Sequence, residues 1–404
     1  MSNIIVNKIG GAVLSSPNGF GALLDLVQSF NDEPNVLVIS ALGTSTRSLI
    51  SCAEEVLISG LDSAKVKLES CIEYYSGYGK EFLNFNKKFQ DELNSTKNEI
   101  SGLLKGIHLT KELSPRTLDK IMSYGELLTL ELIAEYLEEN NIDVIKIDSR
   151  EFIITDSEFT EAKPIEALCR REIERKMLHY LNRKKIVLTQ GFIGSNQNNE
   201  TTTMGMESSN LTASLIANFA NANKVIYWTN VKGIRDIDPD LTSSHKLIST
   251  MSFDFARRAA LYGLKLVYPG MLDFSENGIS IEYRSAYDPN QDYTELIEID
   301  DSSIILFIVT DNIDLSDDSE NAILSLRDPY DSYSIGKSNR GRHSLITILL
   351  QNYEYDLEVI SSVINEYRTA VDMIRLHNDL IQILVKKETG KKLAVRLNNS
   401  MSAN

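Results

Sequence analysis

Short unbroken runs of apolar, β-prone residues recur along this 404-residue chain, and they constrain its fold more than any other feature. Residues 36–39 read Val-Leu-Val-Ile, which is typical of a strand buried on both faces in a parallel sheet covered by helices. Helix-like segments separate the runs, so the pattern predicts an α/β sandwich with a mostly parallel sheet. The predicted strands lie at 4–6, 36–40, 143–147, 185–189, 224–229 and 279–283.

Two of the segments between these strands are predicted to be helices that pack on the sheet. Apolar residues recur at helical spacing over 121–139, and the segment 211–222 is rich in Ala after a Ser/Asn cluster. The polar stretches 195–203 and 236–245 are predicted to be loops. Because loops at strand ends hold ligands in α/β enzymes, these two loops are candidate parts of a binding site.

The character of the chain changes after Asp288-Pro289, which predicts a second, smaller domain. The elements expected there are a strand at 304–310, an acidic loop at 311–320, a polar, basic tract at 332–343, a strand at 344–351, a helix at 356–367, and strands at 371–377 and 380–386. The last four elements have the β-α-β-β order of ferredoxin-like regulatory modules. The predicted domains are therefore 1–298 and 299–404, the second being an α+β module.

The amino-acid composition argues against two classes of binding partner, nucleic acids and membranes. The formal net charge is −16, from 41 Lys+Arg and 57 Asp+Glu, which argues against a protein that coats nucleic acid or anionic membrane. Three cysteines without a C-x-x-C pair are typical of ordinary thiols in a reducing compartment. No basic, apolar leader opens the sequence, and no window approaches about 18 consecutive apolar residues. We predict a soluble cytoplasmic protein with no nucleic-acid or membrane partner.

Glycines and small hydroxylated residues follow the first two predicted strands. The run Lys8-Ile9-Gly10-Gly11 places a lysine and two glycines at a strand end, where backbone N–H groups can approach phosphate oxygens. Residues 40–46 read Ser-Ala-Leu-Gly-Thr-Ser-Thr, which can cap a helix and offer its N-terminus to an anion. Read singly, each pattern is more often a plain turn or a helix cap. A phosphate site therefore depends on further motifs.

Eight segments, in order along the chain, match one known set of motifs. They read Lys8-Ile-Gly-Gly-Ala-Val, Ser40-Ala41 with Thr46, Ser123-Tyr-Gly-Glu126, Asp148-Ser-Arg150, Thr189-Gln-Gly-Phe-Ile-Gly194, Thr201-Thr-Thr-Met-Gly-Met-Glu-Ser-Ser-Asn210, Trp228-Thr-Asn-Val-Lys-Gly233 with Asp238-Pro239, and Gly263-Leu-Lys-Leu-Val-Tyr-Pro269. Together they resemble the aspartate kinase branch of the amino acid kinase superfamily.

The resemblance implies an amino acid kinase (carbamate kinase-like) α/β/α fold followed by ACT-type regulatory modules. It also implies transfer of the γ-phosphoryl group of ATP, with Mg²⁺, to the carboxylate of an amino acid, giving an acyl phosphate such as 4-phospho-aspartate. A carboxylate has a pKa of about 4 and is already ionised at neutral pH, so no general base is required.

The tail at 299–404 is short for the two ACT modules that are usual in the family, so we expect one clear module and a reduced second. The resemblance implies an amino-acid effector bound by this tail. We also expect a homodimer or a higher homo-oligomer, because ACT-type modules pair their sheets edge to edge and the strand at 344–351 is predicted to be exposed.

The resemblance assigns candidate roles to individual residues. The catalytic candidates are Lys8, Lys265 and Asn210, and both lysines would face the phosphates of ATP. The nucleotide-binding candidates are Gly10, Gly11, Ser40, Gly43, Thr229, Asn230 and Arg235, and the substrate-binding candidates are Thr46, Glu126, Phe192, Met206 and Ser209. Glu126 would take the amino group of an amino-acid substrate, or it is only a first-turn acid that the helix dipole favours. No protein ligand for a metal is expected.

Several positions depart from the family's pattern. The arginine that clamps a substrate carboxylate is Met206 here, a glycine is Glu207, and the aspartate that organises the reacting phosphate is Asn210. Because Met offers no charged fork and Glu207 repels a dianion, aspartate should bind poorly unless Arg150 or another cation replaces the lost arginine. Three hypotheses stay open: a carboxylate kinase acting on aspartate or on a changed acid, a pseudokinase that senses a ligand or binds a partner, and a group transferase with another donor.

Overall fold

The computed structural model describes residues 3–30, 33–85, 87–264, 266–272, 278–298, 302–316, 322–327, 332–337, 342–353, 355–377 and 379–401. The chain forms two compact units, one made of 1–232 and 270–293 and the other of 233–269 and 294–404. The second unit thus takes 233–269 as well as the C-terminal segment. The domain boundary expected at 298 stays a prediction.

The strands, in chain order, are β1 (Ile5–Ile9), β2 (Asn35–Ile39), β3 (Val144–Lys146), β4 (Ile154–Thr155), β5 (Ile186–Gln190), β6 (Ile193–Asn196), β7 (Thr201–Thr203), β8 (Lys224–Thr229), β9 (Ile234–Arg235), β10 (Leu247–Ile248), β11 (Thr250–Ser252), β12 (Ser280–Ser285), β13 (Thr294–Ile297), β14 (Ile304–Ser316), β15 (Ala322–Arg327), β16 (Ser332–Lys337), β17 (His343–Gln351), β18 (Val371–Leu376) and β19 (Leu380–Lys386).

The helices are α1 (Gly11–Leu14), α2 (Gly19–Gln28), α3 (Ser45–Ile58), α4 (Leu61–Phe82), α5 (Lys87–Thr110), α6 (Pro115–Glu139), α7 (Glu166–Leu181), α8 (Ser209–Phe219), α9 (Phe253–Leu261), α10 (Pro269–Leu272), α11 (Leu357–Glu366) and α12 (Lys387–Met401). A single 3₁₀ turn at Ser149–Glu151 follows β3. Among the helices of the described segments, none combines the length and the hydropathy that crossing a bilayer requires.

Six parallel strands form the sheet of the first unit, in the order β12-β8-β1-β2-β5-β3. They coincide with the six predicted strands, so the predicted α/β fold with a mostly parallel sheet is confirmed. Every residue of β2 is buried, as the apolar run at 36–39 indicates. Because parallel strands end at the same edge of a sheet, the loops after β1, β2, β5 and β8 meet there.

Helices α3, α4, α5 and α6 contribute to one apolar core of the first unit, together with residues of the sheet. In α4, Leu68, Ile72 and Tyr75 recur at helical spacing and are buried. The pattern at 121–139 predicts only α6 among these four helices. That helix begins earlier, at Pro115, because Ser114 accepts a hydrogen bond from the N–H of Thr117 and proline suits the first turn.

The polar segment at 195–203 is a β-hairpin and not the predicted loop. Strand β6 pairs antiparallel with β7, and β4 completes a three-stranded sheet. Thr202 and Thr203 are fully buried. The carboxylate of Asp119 in α6 accepts hydrogen bonds from the N–H and the hydroxyl of Thr203. Buried threonines that are hydrogen-bonded in this way form a strand that an apolar pattern does not reveal.

A six-stranded antiparallel sheet dominates the second unit, in the order β15-β16-β14-β17-β19-β18. Helices α11 and α12 pack on one face of it, where Ile348, Ile383 and Leu397 share an apolar core. The elements predicted from 344 to 386 are confirmed as β17, α11, β18 and β19. This sheet module is consistent with an ACT-like domain. The unit also holds the hairpin of β9 and β10 and the parallel pair of β11 and β13.

Two expectations for this unit are wrong. Strand β14 continues to Ser316, so the first part of the acidic segment 311–320 is strand and not loop. Strand β17 pairs with both β14 and β19, and all but its first residue is buried, so the segment 344–351 is not a free edge. The outer strands of this sheet, within the part of the chain that the structure describes, are β15 and β18.

Candidate functional site

The loops after β1 and β2 pack tightly against each other at the carboxyl edge of the sheet. Gly10 precedes α1 and Gly11 is its first residue. A Cβ atom on Gly11 would lie 2.1 Å from the carbonyl oxygen of Ala41, so only glycine fits there. The N–H of Gly43 donates a 3.2 Å hydrogen bond to the carbonyl of Gly11, which holds the two loops together.

Lys8 lies on β1, beside these loops. Its ammonium nitrogen lies 3.8 Å from the position that a Cβ atom on Gly10 would take. The side chain keeps partial surface exposure, yet the surrounding protein desolvates the ammonium and lowers the pKa of Lys8 to about 8. The negative charges of Glu126 and Glu207 oppose this shift. A desolvated cation of this kind attracts an anionic ligand more strongly than a surface lysine does.

Glu126 lies on α6 and is 3% exposed. Burial raises the pKa of Glu126 to about 8, against the opposing charge of Lys8 and a hydrogen bond from the N–H of Ala41. Its Oε2 atom is buried and finds no hydrogen-bond partner among the described residues. Buried polar atoms are normally hydrogen-bonded, so this oxygen is the acceptor that a ligand's N–H or O–H could use.

The first residue of α3, Ser45, is held to α6 through the side chain of Tyr75. The hydroxyl of Tyr75 bonds to the hydroxyl of Ser45 at 3.0 Å, to the carbonyl of Gly125 at 2.8 Å, and to Thr129. These contacts fix α3 to the turn of α6 that carries Glu126. The N–H of Ser40 donates to the carbonyl of Ile9. Thr46 is half-buried in the first turn of α3, and Gly43 is exposed with a φ of +51°.

Strand β5 ends against the start of α8. A Cβ atom on Gly191 would lie 2.6 Å from the Cα of Ser209, so the glycine allows the strand end and the helix to touch. Ser209 is buried and Asn210 is half-buried. Phe192 is buried beside Met122 and Ile193. Its φ of +70° is rare for a bulky residue and is typical of strained positions near binding sites.

The loop before α8 carries the residues that depart from the family's pattern. The side chain of Met206 is 47% exposed, and Glu207 is exposed with a φ of +70°. Glu207 is close enough for its charge to act on the pKa of Lys8. The loop therefore presents an apolar and an acidic side chain where the family has an arginine and a glycine.

Arg150 does not supply a free replacement for the missing cation. Its guanidinium donates to both carboxylate oxygens of Asp148 and to the hydroxyl of Thr201. Asp148 also accepts a 2.7 Å hydrogen bond from the amide of Gln190. Lys120 lies near this pair, and burial followed by the charge of Arg150 lowers the pKa of Lys120. Lys120 could not be predicted as part of the site, because nothing in the sequence pattern of α6 marks it.

Two further candidate residues lie where β8 ends, at the same edge of the sheet. The hydroxyl of Thr229, at the end of β8, donates to the carbonyl of Val231 and accepts from its N–H. Asn230 is exposed beside it. Arg235 lies on β9 in the second unit. Lys265 lies outside the described residues, so its predicted partnership with Lys8 stays a prediction.

The structure thus brings one group of candidate residues to a single edge of the first unit's sheet. That group consists of Lys8, Gly10, Gly11, Ser40, Gly43, Thr46, Glu126, Phe192, Met206, Ser209, Asn210, Thr229 and Asn230. A cation and a buried carboxyl group lie there beside these loops, close enough for each charge to act on the pKa of the other. Such a site suits a ligand that carries both an anionic and a hydrogen-donating part. The individual roles of these residues stay predictions.

The chain thus belongs to the class of α/β proteins that combine a parallel sheet, with a candidate site at its carboxyl edge, and an antiparallel C-terminal module. A match to the amino acid kinase family covers residues 3–282. This chain therefore belongs to the amino acid kinase family, as the motifs indicate.

Relatives and solved structures agree with this assignment. The chain is 30% identical over 292 residues to lysine-sensitive aspartokinase 3 of Escherichia coli (strain K12), covering 72% of this chain and 63% of that protein. It is 28% identical over 311 residues to chloroplastic aspartokinase 1 of Arabidopsis thaliana, covering 75% of this chain and 54% of the relative. The match thus spans less than two thirds of the length of either relative.

Two solved structures share the fold. Aspartokinase III of E. coli, in complex with aspartate and ADP in its R-state, has a TM-score of 0.79 at 21% identity and covers 99% of this chain and 100% of that one. The aspartate kinase of Clostridium acetobutylicum has a TM-score of 0.68 at 19% identity and covers 98% of this chain and 100% of that one. At these identities the comparison establishes the fold alone.

Proposed function

We propose that this chain is a cytoplasmic kinase that transfers the γ-phosphoryl group of ATP to the carboxylate of an amino acid, forming an acyl phosphate. One observation carries the proposal: the ammonium of Lys8 and the buried carboxyl group of Glu126 lie close enough for each charge to act on the pKa of the other, beside the loops after β1 and β2. The first would meet the phosphates and the second the amino group of the acceptor. The E. coli aspartokinase structure with aspartate and ADP supports the choice of ligands.

The phosphates of ATP would lie against Lys8, beside the loops that follow β1 and β2. Lys8 supplies a desolvated positive charge where the γ-phosphoryl group builds up negative charge, which is the main task in phosphoryl transfer. Gly10, Gly11, Ser40 and Gly43 lie at this point, where the N–H groups of Ser40 and Gly43 already donate to the carbonyls of Ile9 and Gly11. Thr229 and Asn230 would meet the rest of the nucleotide, as would Arg235, and Lys265 would complete the cation pair.

Mg²⁺ would enter with ATP. The described residues hold no group of three or more His, Cys, Asp or Glu side chains that could bind a metal ion. Mg²⁺ usually keeps several waters and relies on substrate phosphates with one or two carboxylates, so a site without a protein cage fits this ion.

The protonation state of the Glu126 carboxyl group favours an amino acid as the acceptor. Its pKa of about 8 leaves the free enzyme's carboxyl group mostly protonated at neutral pH, with Oε2 lacking a partner. An incoming ammonium group favours the ionised form and supplies the missing hydrogen bond. Binding of an amino group would therefore relieve an unsatisfied buried carboxyl group.

The acceptor would differ from aspartate in how its carboxylates are held. Met206 cannot form a bidentate pair with a carboxylate, Glu207 repels one, and Arg150 is already paired with Asp148. We propose that a dianionic acid binds weakly and that the preferred acceptor carries less negative charge or uses another cation. Thr46, Phe192 and Ser209 would line the acceptor's side of the cleft.

Hydroxylamine trapping tests this function. The purified chain is incubated with Mg·ATP, hydroxylamine and each member of a panel of amino acids and simple carboxylic acids, and acyl hydroxamates are identified by mass spectrometry. We expect ATP-dependent hydroxamate from at least one amino acid and little from aspartate. Robust aspartyl hydroxamate would contradict the substrate change, and no hydroxamate from any acid would contradict kinase activity.

A pseudokinase is the second candidate, and Glu207 favours it. Its charge acts on Lys8, so the carboxylate competes with phosphate for the same ammonium group. In this case Mg·ATP or an amino acid would raise the melting temperature of the protein although no acid in the panel reacts. Thermal shift with nucleotides and the twenty amino acids separates the two candidates, and it would also reveal an amino-acid effector.

Assembly into a homodimer or a higher homo-oligomer is proposed on the second unit's outer strand. Strand β18 pairs only with β19 within the described residues, and its Ile374 and Leu376 are 41% and 43% exposed. Exposed apolar side chains on an edge strand favour pairing with another chain. Light scattering on Ile374→Lys and on wild type tests this proposal.

A further inference from the structure

Two of the three cysteines touch across the interface of helices α3 and α4. The Sγ atoms of Cys52 and Cys71 lie 3.8 Å apart, and neither forms a disulfide. Their positions are 19 residues apart and belong to no motif. The third cysteine, Cys169, is buried elsewhere, where its sulfur bonds to the N–H and carbonyl of Ile154. It provides a matched control within the same chain.

The two touching sulfurs differ in their access to solvent. Cys52 is fully buried, whereas Cys71 is half-buried and lines a cavity of about 330 Å³ with Lys67, Ser70 and Tyr74. A small oxidant that enters this cavity meets Cys71 first. The thiol–thiol hydrogen bond lowers the pKa of Cys71, and the same bond together with burial raises the pKa of Cys52. The more accessible sulfur is therefore also the one whose pKa is lowered.

We propose that Cys52 and Cys71 are a reversible oxidation site, at which a small peroxide oxidises Cys71 and Cys52 then closes an intramolecular disulfide between α3 and α4. The sulfurs need to approach from 3.8 Å to the disulfide bond length of about 2.05 Å. In a reducing compartment, a disulfide of this kind is typical of redox sensing and not of structural support.

The chemistry balances with hydrogen peroxide as the oxidant. The thiolate of Cys71 attacks one peroxide oxygen, the O–O bond breaks, and hydroxide leaves and takes a proton to become water. Cys71 is then a sulfenic acid. The sulfur of Cys52 attacks the sulfur of Cys71, forming the S–S bond and expelling hydroxide, which leaves as water with the Cys52 proton. Two electrons pass from the sulfurs to the peroxide, and a dithiol reductant reverses the change.

The disulfide would form next to the proposed active site. Helix α3 begins with Ser45 and Thr46, and α4 carries Tyr75, one turn beyond Cys71. Because the hydroxyl of Tyr75 bonds to Ser45, a covalent link between these helices constrains the same contact. Oxidation would therefore constrain the packing of α3 against α4 beside the proposed active site, although neither cysteine is a catalytic residue.

Peptide mapping of the full chain tests the proposal. Reduced protein is treated with hydrogen peroxide, alkylated and digested without reductant. We expect the linked Cys52 and Cys71 peptides in wild type and in Cys169→Ser, and none in Cys52→Ala or Cys71→Ser, each of which lacks one of the two sulfurs. We expect dimedone to trap a sulfenic acid on Cys71 in Cys52→Ala, because the second thiol is missing. Circular dichroism checks that each variant is folded.

Three results would overturn the proposal. One is oxidation of wild type without the linked peptides, and a second is linkage that occurs only between chains. The third is dimedone labelling of Cys169 in place of Cys71 in the folded Cys52→Ala variant.

Discussion

The charges of Lys8 and Glu126 act on each other, and each opposes the shift that burial imposes on the pKa of the other group. Burial is the larger effect for both groups, so both pKa values come to about 8. Charged groups held away from water reduce the stability of a fold, and such groups cluster where proteins bind and react. The pair should therefore affect both the free energy of unfolding and the binding of ligands.

The free energy of unfolding should pass through a minimum near pH 8 on account of this pair. The folded protein holds the Glu126 proton up to about pH 8, whereas an unfolded glutamate releases it near 4.5, so stability falls over that range. Folded Lys8 loses its proton near pH 8 and unfolded lysine near 10.5, so stability then rises. Each group contributes a slope of at most about 1.4 kcal/mol per pH unit.

Denaturant unfolding of Glu126→Gln between pH 5 and 9 measures the first slope. The stability of this variant relative to wild type should increase steadily from pH 5 to 8, because glutamine has no proton to lose. The exposed Glu158→Gln substitution is the control and should follow wild type. A Glu126→Gln profile parallel to wild type would show that the carboxyl group does not have a raised pKa.

Removing the Lys8 charge should weaken nucleotide binding. We expect Lys8→Met to raise the Kd for Mg·ATP by about 100-fold, since a cation in a desolvated cleft is worth several kcal/mol. Isothermal titration calorimetry measures the change, with Lys185→Met as the control because Lys185 forms an exposed ion pair with Asp143. Wild-type affinity should also fall above pH 8, as Lys8 loses its proton. Equal affinities in the two variants would contradict the assignment.

A methyl group should be tolerated at one glycine of the β1 loop and not at its neighbour. Gly11→Ala should lose about 3 kcal/mol of stability, because its Cβ would lie 2.1 Å from the carbonyl oxygen of Ala41, a backbone atom that cannot move alone. Gly10→Ala should stay within about 1 kcal/mol of wild type, because the nearest atoms lie 3.8 Å away. Urea unfolding measures the stability of both variants. Similar stabilities would mean that the two loops are less tightly packed than the structure shows.

Restoring the family's charges before α8 should improve aspartate as an acceptor. We expect Met206→Arg with Asn210→Asp to raise kcat/KM for aspartate at least tenfold, because a guanidinium can clamp a carboxylate in two places. Met206→Leu and Asn221→Asp are the controls, the second placing the same charge just after the other end of the helix. An unchanged double variant would remove these positions as the cause of weak aspartate turnover.

The parallel sheet could be predicted from the sequence because its strands are buried on both faces and read as unbroken apolar runs, as at β2. Helices α3 to α5 could not, since charged residues separate their buried positions and each helix is stabilised mainly by the others. The hairpin of β6 and β7 could not be predicted for a different reason. Its buried residues are threonines held by Asp119, a contact that spans 84 residues.

Some residues of the candidate site could likewise be predicted from the sequence, and others could not. Lys8, Gly11 and Glu126 could be found because each stands in a short motif at the end of a strand or in a helix. Whether Arg150 is available could not be predicted, because its pairing with Asp148 depends on the conformation of the 3₁₀ turn. The contact of Cys52 with Cys71 likewise depends on how α3 and α4 pack, which no local pattern encodes.

Phosphorus NMR of the transfer reaction tests the central claim most directly. Wild type and Lys8→Met are each followed with Mg·ATP and the best acceptor from the hydroxamate panel. The account predicts an acyl phosphate resonance that grows in wild type as the γ-phosphate signal declines, and its loss in Lys8→Met. An undiminished acyl phosphate signal in Lys8→Met, or none in wild type, would contradict it.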